Sequence, residues 1–299
     1  MKRLSILVRF CRPHTIIATS LQVSGLFILA YASKPISIDR LWIWFLALAA
    51  SLAANIYIVG LNQLTDVVID RINKPTLPLA SGEMSIRQGR LIVTAVALAS
   101  IIFAATQSLI LLITVLISML IGSLYSLPPF HLKSRPLWAA LSIAFVRGFV
   151  ANFGLILHFN HEIGPASAVS WPLVVGLTAF FFGFGLVIAL YKDIPDLVGD
   201  KEYDIRTYTV RLGPERVFNA GRLILTATYI IPILAAVSLL PDLIGLVLLV
   251  AHLVIVVLFW RRSLAVDMAR PDDVTRFYMF LWSLFYVEYI LLALAALAS

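Results

Sequence analysis

Hydrophobic and polar positions alternate along this chain on the scale of whole helices. Residues 14–33, 41–65 and 91–132 contain no Asp, Glu, Lys or Arg. At about 1.5 Å per residue, the third stretch makes about 63 Å of helix. A bilayer core is about 30 Å thick, so this stretch must cross twice, with a turn near Gln107-Ser108. Further apolar segments at 137–159, 163–191, 223–241, 243–260 and 277–299 bring the spans to nine. Only helices and closed barrels satisfy their backbone in lipid, and runs this continuous are helical. The expected fold is an all-α integral membrane protein, with nine transmembrane helices around a central cavity that opens to the cytoplasmic side. No linker or low-complexity tract divides the chain, so residues 1–299 are expected to form one domain.

Composition makes the few polar groups informative. The chain is 61% hydrophobic and 13% charged, with a mean hydropathy of +0.97. Its net charge of +7 would suit nucleic acid if it were spread over one surface. Instead, 20 of the 23 Lys and Arg residues fall in the N-terminal tail and the even-to-odd connections. By the positive-inside rule those segments and the N-terminus face the cytoplasm, and the C-terminus lies on the opposite side. The basic charge therefore reports topology and contact with anionic membrane lipid, not nucleic acid. The lone Cys11 excludes an intrachain disulfide. The short basic start, MKRLSILVRFCRP, lacks a cleavable hydrophobic region, so direct insertion is expected.

Two stretches concentrate the acidic residues: Asn62-Gln-Leu-Thr-Asp66-Val-Val-Ile-Asp70 and Asp193-Ile-Pro-Asp196-Leu-Val-Gly-Asp200-Lys-Glu-Tyr-Asp204. Together they hold six aspartates, against 16 acidic residues in the whole chain. Residues four apart share a helix face, so Asn62, Asp66 and Asp70 form one oxygen-rich stripe and Asp196, Asp200 and Asp204 a second. Aligned carboxylates repel one another unless a cation sits between them, and hard oxygens that leave room for phosphate suit Mg²⁺. Each stretch ends a span on the cytoplasmic side and runs into a basic loop, which predicts an internal duplication of 62–83 and 193–213. Pro75 and Pro78 stop the helix after the first stretch. The segment Tyr125-Ser-Leu-Pro-Pro-Phe-His131-Leu-Lys133-Ser-Arg135 adds cations to the same face.

Carboxylates facing each other across a cavity capped by Lys and Arg suit a diphosphate. The acids hold Mg²⁺, the metal binds phosphate oxygens, and the cations neutralise the remaining charge. Such a clamp stabilises charge developing on a departing diphosphate. No GxxxxGK[ST] loop and no His/Cys cluster supports a P-loop or zinc reading. Within the spans stand Asn55, Arg147, Asn152 and Glu288. An intramembrane ionisable group is a functional candidate. Arg147 either binds an anionic substrate group or pairs structurally with Glu288. Some aromatics among Phe180, Phe181, Phe182 and Phe184 are expected to face the cavity and shield an allylic cation. His158 and His161 are expected at the far interface.

These motifs resemble the UbiA-type intramembrane aromatic prenyltransferases over nearly the whole chain. Arg12-Pro-His-Thr-Ile-Ile, NQLTDVVIDRINKPTLPLASGE at 62–83, YSLPP at 125–129, VRG at 146–148 and KDIPDLVGDK at 192–201 look most like the homogentisate prenyltransferase branch. Leu77, where many members of the wider family have Arg, is shared with that branch. His131 and Asp204 depart from it. The resemblance implies Mg²⁺ ligands at Asn62, Asp66, Asp70, Asp193, Asp196, Asp200 and Asp204. Diphosphate contacts are expected at Asn62, Lys74, Tyr125, Lys133, Lys192 and Lys201, with Asp66, Asp70, Asp196, Asp200 and Arg147 carrying catalysis. It implies transfer of a phytyl or similar polyprenyl group from its diphosphate to an aromatic acceptor, homogentisate with decarboxylation, in tocopherol- or plastoquinone-type biosynthesis. The expected setting is a bacterial inner or thylakoid membrane. Siblings acting on 4-hydroxybenzoate, dihydroxynaphthoate or chlorophyllide are the alternative. A secondary transporter is more distant, because the span number is odd and the carboxylates sit at the mouth, not the midplane.

Overall fold

The computed structural model describes residues 2–32, 37–164 and 169–298. Its helices are α1 (Lys2–Phe10), α2 (Pro13–Tyr31), α3 (Ile38–Thr65), α4 (Val67–Asn73), α5 (Ile86–Ala105), α6 (Leu109–Ser126) and α7 (Pro136–Ala144). They continue as α8 (Ala151–Ile163), α9 (Trp171–Lys192), α10 (Leu197–Glu202), α11 (Tyr208–Leu212), α12 (Pro214–Ser238), α13 (Leu243–Leu264) and α14 (Pro271–Ala298). Among the described residues, nine helices are long and apolar enough to cross a membrane, with α7 and α8 counted as one span. The predicted turn falls where α5 gives way to α6. There Ser108 caps α6 by accepting from the Leu111 N–H at 3.1 Å. Spans 7 and 9 start earlier than expected, at Pro214 and Pro271, because proline opens each helix before the apolar run begins.

The spans close into a ring. α2 packs on α3 and α14, α3 on α5 and α6, α9 on α7 and α12, and α12 on α13. Lipid tails are as apolar as leucine, so close backbone approach and interhelical hydrogen bonds must hold helices together. Both occur here. The Ser100 hydroxyl donates to the Ala50 carbonyl at 2.7 Å, joining α5 to α3. Gly148 lies so close to α9 that a Cβ there would stand 2.2 Å from Phe182 Cα. Between α7 and α8, residues Phe145–Val150 form a π-helical turn that includes Arg147. Such turns often mark functional sites.

At one end of the ring α3 and α9 break and continue as the short helices α4 and α10. The Asn62, Asp66 and Asp70 stripe therefore does not run along one helix. α3 stops at Thr65, and Asp66 takes a bridge conformation (φ −105°, ψ 10°) that starts α4. The second stretch follows the same plan, with Asp196 (φ −84°, ψ 1°) starting α10. The helix amide N–H groups after each break are a favourable place for negative charge. Phe10 of α1 is fully buried against Leu79, Met84 and Val93 and anchors the loop after α4. Arg9 of α1 donates to the Thr76 carbonyl at 2.9 Å and pairs with Glu83.

Candidate active site

The two breaks face each other. The Asn73 side-chain oxygen accepts from the Gly199 N–H at 2.9 Å, joining the end of α4 to α10. A Cβ at Gly199 would meet that oxygen at 2.5 Å, so glycine is what allows the approach. Around this joint lies a polar pocket of about 40 Å³ lined by both acidic stretches. Asp66, Asp70, Asp193, Asp196 and Asp200 all reach it, with Lys74, Lys133, Lys192 and Arg12 among them.

The carboxylates divide by partner. Lys133 pairs with Asp66, which also accepts from the Asn62 amide at 2.8 Å and the Thr65 hydroxyl at 3.1 Å. Lys74 pairs with Asp196, and Lys192 with Asp193 at 2.7 Å. Asp70 and Asp200 are buried. Neither makes a side-chain hydrogen bond or ion pair among the described residues.

The electrostatics follow the same division. Burial pushes Asp196 up, but Lys74 and Lys192 outweigh it and hold the carboxyl below the ordinary range. Burial raises Asp193 despite Lys192. Burial raises Asp70 against the pull of Lys74 and Arg12. Burial, reinforced by the negative charge of Asp193, raises Asp200 to about 7. Lys133 is lowered to about 8 by burial and by the nearby Lys192 charge. Asp70 and Asp200 feel the charge of the pocket lysines but are ion-paired with none of them, so both carboxylates are open to a further cation.

The donor set fits Mg²⁺. It consists of hard carboxylate oxygens, with no soft sulfur or imidazole at the pocket wall. Among the described residues no three His, Cys, Asp or Glu side chains converge on one point. Mg²⁺ bound through one or two carboxylates, with phosphate and water completing the shell, needs no such convergence.

Arg12, Asn62, Tyr125 and Lys192 also line a second, mainly apolar cavity of about 220 Å³ that runs on between the spans. Arg147 lies on its wall with its guanidinium 4.7 Å from the Trp282 ring centre and 5.9 Å from Phe285. The expected alternative of an Arg147–Glu288 pair is not what forms. Glu288 accepts from the Tyr229 hydroxyl at 2.8 Å and lies 3.2 Å from His252 Nε2.

Other expectations also need correction. Asp204 and Lys201 do not join the pocket. Asp204 adopts a left-handed φ of 51°, leaves its side chain 81% exposed and pairs with Arg206. Lys201 is exposed as well. The turn that ends α10 carries Asp204 away from the Asp196–Asp200 face, while Lys201, one residue past Asp200 within α10, projects from a different face of the helix. Phe180, Phe181 and Phe184 pack in the core, Phe181 stacked on Tyr289 at 4.1 Å, and none of the Phe180–Phe184 aromatics lines the cavity. Its aromatic wall is Tyr125, Tyr278 and Trp282. His158 lies near the end of its span, beside the α5–α6 turn, but faces inward. It is fully buried, with Nδ1 2.8 Å from the Ser108 hydroxyl. Sequence reasoning gave no site role to Arg12, Asn73, Tyr278 or Trp282. Arg12, in a left-handed backbone (φ 51°) before Pro13, had a signal in the sequence: a basic residue directly ahead of a helix-opening proline.

An all-helical membrane bundle with paired aspartate breaks at one end is the framework of an intramembrane transferase. The chain belongs to the UbiA prenyltransferase family, whose model matches residues 22–284. It is 43% identical to a homogentisate phytyltransferase of Synechocystis sp. over 96% of this chain and 94% of that one. It is 39% identical to homogentisate phytyltransferase 1 of Arabidopsis thaliana over 95% of this chain and 73% of that one. Its fold matches a UbiA homologue from Archaeoglobus fulgidus solved with GPP and Mg²⁺, with a TM-score of 0.64 and 18% identity over 98% of this chain and all of that one. The protein is a prenyltransferase, which sets the transporter reading aside.

Proposed function

We propose that this enzyme transfers a phytyl or similar polyprenyl group from its diphosphate to homogentisate. The carboxylate of the acceptor is lost as CO₂ and a methylated prenylquinol forms. The observation that carries this is the junction of two compartments. A small charged pocket adjoins, at Arg12, Asn62, Tyr125 and Lys192, a mainly apolar cavity that also has Arg147 on its wall. The names of the relatives, both homogentisate phytyltransferases, support the acceptor.

Asp70 and Asp200, with Asp66, Asp193, Asp196 and Asn62 beside them, would hold Mg²⁺. The metal supplies charge neutralisation for a diphosphate leaving group. Lys74, Lys133 and Lys192 exchange carboxylate partners for phosphate oxygens, and Arg12 adds its charge from the pocket wall, so positive charge is already in place when the C–O bond breaks. The prenyl carbon becomes an allylic cation in a dry cavity beside the Tyr278 and Trp282 π faces. The electron-rich ring of the acceptor captures it and sheds a ring proton. The acetate side chain then loses CO₂ and takes up a proton to become the methyl group. Arg147 holds the acceptor's carboxylate before that loss.

The shared plan of span, break, bridge-region aspartate and short helix supports an ancestral duplication of 62–83 and 193–213. We place the acidic end of the bundle on the cytoplasmic side of a bacterial inner or thylakoid membrane, with the C-terminus opposite. Purified enzyme in detergent with homogentisate, Mg²⁺ and a panel of prenyl diphosphates should yield a prenylated, decarboxylated quinol by mass spectrometry. Product from 4-hydroxybenzoate or dihydroxynaphthoate but not from homogentisate would overturn the acceptor. No product from any pair would overturn the whole reading.

A further inference from the structure

Outside the polar pocket, two segments that wall it form a third cavity, an outer groove, on their other side. It has a volume of about 580 Å³ and is lined by Ser134 and Arg135 just before α7, by Leu137 and Trp138 in its first turn, and by Asp204, Arg206, Tyr208 and Arg211. Residues alternate between the two cavities. Lys133, Ile205 and Thr207 point into the polar pocket, while Arg135, Asp204, Arg206 and Tyr208 line the outer groove. The groove is thus separated from the diphosphate compartment by the thickness of the backbone.

Its chemistry is that of an anion site with an apolar edge. Three guanidinium groups meet one carboxylate, and that carboxylate is already engaged with Arg206 at 3.3 Å. Arg135 and Arg211 have no carboxylate partner among the described residues. Next to them, Leu137 and Trp138 are 51% and 52% exposed on the first turn of a membrane span, the level at which tryptophan sits in the headgroup layer. Guanidinium forks fit phosphate oxygens, and an exposed Leu-Trp pair fits the top of an acyl chain.

We propose that this groove binds the phosphate headgroup of one anionic membrane lipid, which bridges Arg135 to Arg211 with its acyl chain against Leu137 and Trp138. Bound there, the lipid ties Arg135, directly after the Leu132–Ser134 turn, to α11. That steadies Lys133, which reaches Asp66 from the same turn. This inference does not depend on the identity of the acceptor.

The test is native mass spectrometry and thermal unfolding of the full chain in nanodiscs of phosphatidylcholine with or without phosphatidylglycerol. Wild type should retain one phosphatidylglycerol and unfold at a higher temperature when that lipid is present. Arg135→Ala with Arg211→Ala should bind it roughly 30-fold more weakly, taking each surface cation at its usual worth, and should lose the thermal shift. Arg216→Ala with Arg261→Ala, two exposed cations elsewhere on the basic side, should keep both. Trp138→Ala should weaken retention of the lipid while leaving the fold intact. Equal retention by wild type and the Arg135/Arg211 variant would overturn the proposal. So would equal protection by water-soluble glycerol phosphate, because the groove would then be a free-phosphate site.

Discussion

The two acidic segments share a backbone plan but differ in charge balance. Asp66 and Asp196 each begin a short helix and each pairs with a lysine from elsewhere in the chain, Lys133 and Lys74. Four residues on, Asp70 and Asp200 lie in the first turn with no cation attached. The segments differ ahead of the break. The first has Asn62, four residues before Asp66 and a neutral donor to it, whereas the second has an additional carboxylate, Asp193, three residues before Asp196. That extra charge helps raise Asp200 to about 7. Aspartates four residues apart within one segment thus have different duties. The bridge-region pair organises the lysines, and the first-turn pair is left to receive a cation.

Breaking the first-turn pair should have the largest effect. Asp70→Asn or Asp200→Asn should cut turnover about 100- to 1000-fold, the usual loss when one preorganised electrostatic contact goes. Each variant should fold at least as well as wild type, because a buried uncompensated carboxylate is removed. Asp196→Asn should behave differently and lower thermal stability by about 1–3 kcal/mol, since it strands Lys74. Circular dichroism melts beside steady-state rates separate the two classes. If Asp70→Asn and Asp196→Asn lost stability alike, the division of roles would be wrong.

The next effect is on pH. Asp200 holds its proton more tightly folded than unfolded, so the metal-free protein becomes less stable as pH rises from the ordinary carboxylate range through about 7. It should melt higher at pH 6 than at pH 8, and saturating Mg²⁺ should shrink that gap. A cation must displace the Asp200 proton, so Mn²⁺ affinity should fall below about pH 7 and level off above it. Asp200→Asn should flatten that slope. An unchanged slope in this variant would assign the proton elsewhere.

Arg147→Gln tests the other compartment. It should raise the acceptor KM or lower kcat about tenfold while leaving the diphosphate KM nearly unchanged, because the leaving group is held by other cations. A shift confined to the diphosphate KM would contradict the separation of compartments. The smallest effect is expected at Asp204→Ala, less than about twofold on rate, given the exposure of that side chain.

The sequence made the spans legible because lipid requires long uncharged helices, and the turn at Gln107-Ser108 came from the same constraint. It also placed Asp66, Asp70, Asp193, Asp196 and Asp200 together, since scarce carboxylates in an apolar chain have few other uses. The helix breaks were not legible. An i, i+4 spacing assumes a continuous helix, whereas Asp66 and Asp196 leave it in the bridge region. Nor was the end of α10 at Glu202 legible, and the left-handed turn that follows is why Asp204, third in the expected stripe, points away. The fate of Arg147 also escaped the sequence. Pairing it with Glu288 weighed charge alone, while the fold offers Glu288 a buried tyrosine and histidine and sets Arg147 beside Trp282. Tyr278 and Trp282 were missed because aromatics on a membrane helix look alike until the packing says which ones face the cavity.

The central claim is that both acidic segments serve one metal–diphosphate pocket. It is tested most directly by Mn²⁺ binding to the purified enzyme, followed by electron paramagnetic resonance with and without a non-reactive prenyl thiodiphosphate. Wild type should bind Mn²⁺ more tightly with the analogue present. Asp70→Asn and Asp200→Asn, one from each segment, should each abolish that gain while leaving the fold intact. Retention of the full analogue-dependent binding by either variant would contradict a shared pocket.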